Sequence, residues 1–187
     1  MMHFVITYLI VFVSANSQTP ETRVCLSQEE IKLYNMINEY RDKKNLLSVT
    51  LSSSLTKVAQ AHVRDLMENY KKSGKCNPHS WSKKGDWSAC CYTSDHKKAS
   101  CMWDKPKEIA GYESPGYEIA FWHSQASTAE NSLEGWKKSK SHNPLLINKG
   151  QWSKVTWKAI GIGIYEQYAV VWFGEMKDKT PPPMPCP

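Results

Sequence analysis

Several things are missing from this sequence, and each absence excludes a class of protein. No N-x-S/T sequon occurs, so N-glycosylation is not expected. The one long apolar run, Phe4–Val13, has ten residues, about half of what a transmembrane helix needs, and no second run approaches that length. Lys and Arg are absent before it, so any positive charge there comes from the amino terminus alone. G-x-S-x-G and H-E-x-x-H are missing. Ser54-Leu55-Thr56-Lys57 fits S-x-x-K, but without its K-T-G partner it reads as a helix cap. "GIGIYE" (Gly161–Glu166) lacks a third glycine and a following helix, so it reads as a strand and not a nucleotide loop. The six cysteines include no C-x-x-C knuckle, which weakens a zinc site from Cys76, Cys90, Cys91 and Cys101 against a disulfide framework.

What is present points outside the cell. Phe4–Val13 followed by the small residues of Val13-Ser14-Ala15 or Ala15-Asn16-Ser17 reads as a signal peptide over 1–17, with a mature, secreted, extracellular chain from about Gln18. The remaining roughly 170 residues suit a single domain. An even number of cysteines on an exported chain predicts three disulfides. Short loops close most readily, and vicinal Cys90-Cys91 need different partners, so the expected pairs are Cys76–Cys90, Cys91–Cys101 and Cys25–Cys186. The formal charge is +6, but the lysines stand as dyads (Lys71-Lys72, Lys83-Lys84, Lys97-Lys98, Lys137-Lys138) with acids between them. They read as a solubilising surface, with no nucleic-acid partner and no stable membrane insertion.

Ser27-Gln28-Glu29-Glu30 is a capping box opening a helix from about Gln28 to Lys44, with Ile31, Tyr34 and Ile37 on its apolar face. A second helix, capped by Ser53 or Ser54, runs to about Tyr70; its stripe of Leu55, Val58, Ala59, His62 and Leu66 turns His62 inward as a core histidine. Residues 73–115 form a long cross-linked segment with a short helix over Asp104–Tyr112. "GYEIAFW" (Gly116–Trp122) is a buried strand, Ser127-x-x-Glu130 caps a third helix carrying Leu133 and Trp136, and Ile160–Phe173 is a hairpin turning at Glu166-Gln167. Alternate Gly161 and Gly163 leave room for a helix on that face. Residues 177–187 are a proline-rich strap in polyproline II form. Together these elements predict an α+β fold with helices covering an antiparallel sheet.

In order, "LTKVAQAHVRDL" (55–66), "HSW" (79–81), "GYEIAFW", "SLEGWKKS" (132–139) and "QWSKVTWKAIGIGI" (151–164) resemble the CAP superfamily of cysteine-rich secretory, antigen 5 and pathogenesis-related 1 proteins. The closest resemblance is to the venom allergen-like proteins of parasitic worms. It implies a three-layer α-β-α sandwich over 18–176, here with a long disulfide-stapled loop, and a central cavity of two histidines and two glutamates. His79 and Glu118 match the first of each, while Ser139 and Gln151 stand where the second glutamate and histidine belong. Serine and an amide are poor zinc ligands, so no metal and no cofactor are expected. Glu118 is instead expected to accept hydrogen bonds from backbone amides, Ser139 or Gln151. His142 is the only candidate replacement ligand, and reads first as a surface histidine beyond a helix C-terminus.

The resemblance implies a non-enzymatic monomer that binds a fatty acid or sterol, in a groove between the faces carrying Tyr34, Ile37 and Tyr40 and those carrying Leu133 and Trp136. Host proteins are a further expected partner. The alternatives are a metal-dependent hydrolase and an allergen-like interaction module.

Overall fold

A computed structural model of the protein describes residues 24–72 and 74–187. The apolar run, its cleavage sites and the expected mature start at Gln18 lie outside the described residues.

β1 (Cys25–Leu26) leads into α1 (Gln28–Asp42), whose start is the expected capping box: Ser27 Oγ accepts from the Glu30 amide, and Glu30 accepts from the Ser27 amide at 2.7 Å. β2 (Thr50–Leu51) precedes α2 (Ser53–Asn69). Its N-cap is Ser52, one residue before the expected cap, because the hydroxyls of Ser53 and Ser54 are taken by Pro181 O and Asp178 of the C-terminal tail. Asp178 also accepts from the Ser54 amide at 2.8 Å, capping α2 from far along the chain. The short helix expected over 104–112 is α4 (Lys105–Ala110), and a further short helix, α3 (Ala99–Trp103), precedes it.

β3 (Gly116–Trp122) is followed by α5 (Ala129–Lys138) and α6 (His142–Leu146), then a 3-10 turn at Gly150–Trp152. The capping box of α5 is Thr128 with Asn131, not Ser127 with Glu130, since the Ser127 hydroxyl is spent on Gln167 O. The hairpin of β4 (Ala159–Tyr165) and β5 (Tyr168–Gly174) turns at Glu166-Gln167 as the pattern predicts, and the tail ends in β6 (Met184–Pro185), parallel to β1.

The main sheet has the order β2-β4-β5-β3, with antiparallel pairs at β4–β5 and β5–β3. β5 is buried along its whole length. On one face Ile119, Ile160, Ile162, Val171 and Phe173 pack under α1, α5 and α6. On the other, Val170 and Trp172 meet α2, with Trp81, Tyr92 and Met102 of the long segment completing the layer. This is an α+β sandwich of helix, sheet and helix. Gly161 and Gly163 are what bring α2 so near: a Cβ on them would lie 2.1 Å and 2.5 Å from the backbone of Leu55 and Ala59.

All six cysteines are in disulfides, so the zinc reading of the loop cysteines fails. Cys25–Cys186 joins the two ends of the described chain. The other expected pairs, Cys76–Cys90 and Cys91–Cys101, are overturned: Cys76 pairs with Cys91 and Cys90 with Cys101. Neighbouring side chains on extended backbone point to opposite sides. Cys90, bridged backbone to backbone with Trp81, turns inward toward α3, and Cys91 turns outward to Cys76.

Candidate functional site

In β3 the side chains alternate, and the register opposite Trp172 turns Glu118 toward α2. The inward stripe of α2 presents His62 to the same space, fully buried. His79 arrives from the long segment, where Asn77 Oδ1 accepts from its amide at 3.0 Å and Ser80 is bonded to both backbone groups of Tyr92. The three side chains meet: His62 Nδ1 bonds Glu118 Oε1, and His79 Nδ1 bonds Oε2 at 2.8 Å. The His62 ring lies flat on Trp81, 4.1 Å between centroids, and its Nε2 contacts Ser80 O at 3.0 Å.

The hydrogen-bond inventory assigns the charges. A carbonyl oxygen only accepts, so His62 Nε2 donates to Ser80; an ionised carboxylate only accepts, so Nδ1 donates to Glu118. Burial pushes the Glu118 carboxyl up, but the charges and hydrogen bonds of His62 and His79 outweigh it, and it sits below the usual carboxylate value. The result is a buried histidine–carboxylate pair, with a second imidazole closing the carboxylate's other oxygen.

Ser139 and Gln151 do not join this group, correcting the expected partners of Glu118. Both belong to segments packed on the α1 side of the sheet, whereas Glu118 faces α2. The Ser139 hydroxyl accepts from the His142 amide at 3.2 Å at the start of α6, and Gln151 is exposed. His79, 39 residues before Glu118 in the sequence, does reach it. His142 is half-buried as the first residue of α6, not a surface residue after a helix end. Burial, and secondarily the charge of His79, push its imidazole down to about 4, with Glu118 opposing. Sequence reasoning missed His62 as the main partner of Glu118. The signal was there: an inward polar residue on α2 and a carboxylate on a buried strand each lacked a partner.

The metal implied by the family's cavity does not suit these residues. Both oxygens of Glu118 and both nitrogens of His62 are engaged, leaving Nε2 of His79 and the ring of His142. Two imidazoles fall short of the three or four donors that zinc takes. Among the described residues no group of three His, Cys, Asp or Glu side chains is disposed to hold an ion.

The expected ligand residues also change character. Ile37, Leu133 and Trp136 are buried in the core between α1, α5 and the sheet, so the open groove predicted there is filled. Tyr40 is half-buried along the seam of the two helices, whereas Tyr34 is half-buried on the other flank of α1, beside Asn38, which bonds Val49. The seam is closed by the Lys32–Glu130 ion pair, by the Ala129 amide donating to Glu29 at 2.9 Å, and by Tyr40 Oη donating to Asn143 at 2.9 Å.

A model of the cysteine-rich secretory protein family, CAP, matches residues 34–171. Among solved structures, the chain is similar to an extracellular protein containing an SCP domain from Bacillus anthracis str. Ames, with 18% identity and a TM-score of 0.56 over 79% of this chain and 40% of that one. It is similar to an outer surface protein from Borrelia burgdorferi, with 23% identity and a TM-score of 0.51 over 80% and 95%. It is also similar to a cysteine-rich secretory protein from Staphylococcus aureus subsp. aureus Mu50, with 16% identity and a TM-score of 0.51 over 86% and 42%. The chain thus spans less than half the length of two of these proteins, and at such identities the likeness concerns the fold alone. No curated protein matches the sequence.

Proposed function

The chain belongs to the cysteine-rich secretory protein family, CAP, and from that premise we propose that it is an extracellular, non-catalytic protein that binds small apolar ligands, fatty acids or sterols. The observation that carries the non-catalytic part is the engagement of Glu118. A general base needs a free lone pair aimed at substrate or water. Here both carboxylate oxygens accept from imidazoles, and the side chain is sealed from solvent. His62, Glu118 and His79 serve to fasten α2, β3 and the long segment to one another.

The ligand part draws support from the seam of α1 and α5. Met36 and Tyr40 are only partly covered there, over a core that includes Leu133 and Trp136. An acyl chain laid along it would be stabilised by about 0.8 kcal/mol per buried methylene once the polar rim opens. Three disulfides and the family's secreted character support the extracellular setting. A place among the worm venom allergen-like proteins, and a role against host proteins, belong to the same proposal.

Palmitate and cholesterol titrated onto pure protein test the reading. Saturable binding of either, weakened in Tyr40→Ala, is expected; no saturation with either ligand overturns it. One observation favours a metal-dependent hydrolase instead: His79 and His142 are near enough to interact electrostatically, and His79 Nε2 and the His142 ring have no hydrogen bond among the described residues. Zinc calorimetry on chelator-treated protein separates the two. Stoichiometric micromolar binding that disappears in Glu118→Gln would replace the non-catalytic reading.

A further inference from the structure

Seven lysines and two aspartates, Asp86 and Asp95, lie between Lys71 and Lys98, so this segment carries a formal +5 of the protein's +6. In the sequence the lysines stand as separate dyads, but two disulfides and a backbone bridge tie the segment that carries them to one junction. By chain reach, at most about 3.6 Å per residue, Lys71-Lys72, Lys83-Lys84 and Lys97-Lys98 all lie within about 25 Å of the vicinal cysteines. The links are Cys76–Cys91, Cys90–Cys101 and the Trp81–Cys90 bridge. All seven lysines are exposed. Among the described residues only Lys97 has an ion pair, to Asp95 at 3.6 Å, while Lys72 lies over the ring of Trp122. The fourth dyad, on α5, differs: Lys137 is paired with Glu134.

The array is also held in place. The Trp87 ring covers Gly85, where a Cβ would sit 2.2 Å from it, and its Nε1 donates to Ser82 O at 3.0 Å. Buried Lys105 bonds Ser88 O and Glu108, tying the turn that carries Lys83 and Lys84 to α4. A held backbone whose ammonium groups are mostly without ion pairs loses little order on engaging several anions at once.

We infer that this stapled segment is a docking surface for a linear sulfated polysaccharide. A bilayer fits less well, because none of the exposed large apolar side chains lies in 71–98 to enter the acyl region. Single-stranded nucleic acid fits less well because Trp81 and Tyr92 are buried, Trp87 is half-buried over Gly85 and Lys72 covers Trp122, leaving bases few faces to stack on. Lysine ammonium groups, compact and freely rotating, suit sulfates spaced along a chain.

The inference is independent of the ligand at α1 and α5. Its test is titration of the protein onto immobilised heparin, with affinity expected to fall as salt rises. Lys83→Ser with Lys84→Ser, and separately Lys97→Ser with Lys98→Ser, should each weaken binding about tenfold. Lys137→Ser with Lys138→Ser removes the same charge and should change it by less than about twofold. Desulfated heparin should not bind. No binding to heparin, equal losses in all three double variants, or equal or tighter binding to phosphatidylserine vesicles or oligonucleotides would overturn the assignment.

Discussion

Glu118 and His142 interact electrostatically and respond to acid in different windows. His142 has its imidazole pushed down to about 4 from 6.5, first by burial and then by His79. Between those values the unfolded chain binds a proton that the folded chain does not, so stability is complete above about pH 6.5 and drains away as the pH falls toward 4. The shift corresponds to at most about 3 kcal/mol, less where solvent reaches the ring. Glu118 is depressed below its ordinary 4.5, so its contribution is present above that pH and is lost only below it. Denaturant midpoints measured from pH 7 to 4 should therefore fall in the native protein and fall less in His142→Asn; superimposable curves would show that His142 does not titrate in this window. That Glu118 needed a partner was legible, because a carboxylate on a strand of aromatic and aliphatic residues is untenable alone. Which partner was not. Ser139 and Gln151 were selected by family position, and both lie on segments of the opposite face.

At the scale of elements, local pattern carried far. The capping box at Ser27, the strand at Gly116–Trp122 and the hairpin turning at Glu166-Gln167 all form where periodicity and turn residues place them. Two caps moved by a residue, at Ser52 and Thr128, because neighbouring hydroxyls were drawn into contacts with the tail and the hairpin. The alternate glycines of β4 were read as room for a helix, and α2 fills it. Gly161→Ala would force a Cβ to 2.1 Å from the Leu55 carbonyl carbon, a backbone atom that cannot swing aside. It should destabilise the protein by about 3 kcal/mol. Gly111→Ala meets nothing within 4 Å and has only a positive φ of 65° to bear, so about 1 kcal/mol is expected. Urea unfolding of both variants checks the contrast, and equal losses would mean that α2 yields easily.

For the molecule as a whole, Cys25–Cys186 constrains most of the described chain, with a sequence separation of 161. In the loop-entropy model such a closure contributes about 5 kcal/mol. Cys25→Ser with Cys186→Ser should approach that loss in reversible unfolding, and a change under about 1 kcal/mol would show that β1, β6 and Asp178 hold the tail unaided. No protease cuts between Cys90 and Cys91, so partial reduction with stepwise alkylation is the way to verify Cys76–Cys91 and Cys90–Cys101. By itself the sequence determined what short-range physics controls: helix faces and their caps, the buried strand, the hairpin, the disulfide-bearing character of the long segment, and through their order the family. Tertiary structure decided what depends on residues far apart. It chose which cysteine of the vicinal pair turns inward, and it filled the seam that apolar faces alone left open as groove or core. It also brought His62 to Glu118 across 56 positions and tied the lysine-bearing segment to one disulfide junction. Spacing along a chain does not encode such meetings, because they are set by how layers pack and which side of the sheet each side chain faces.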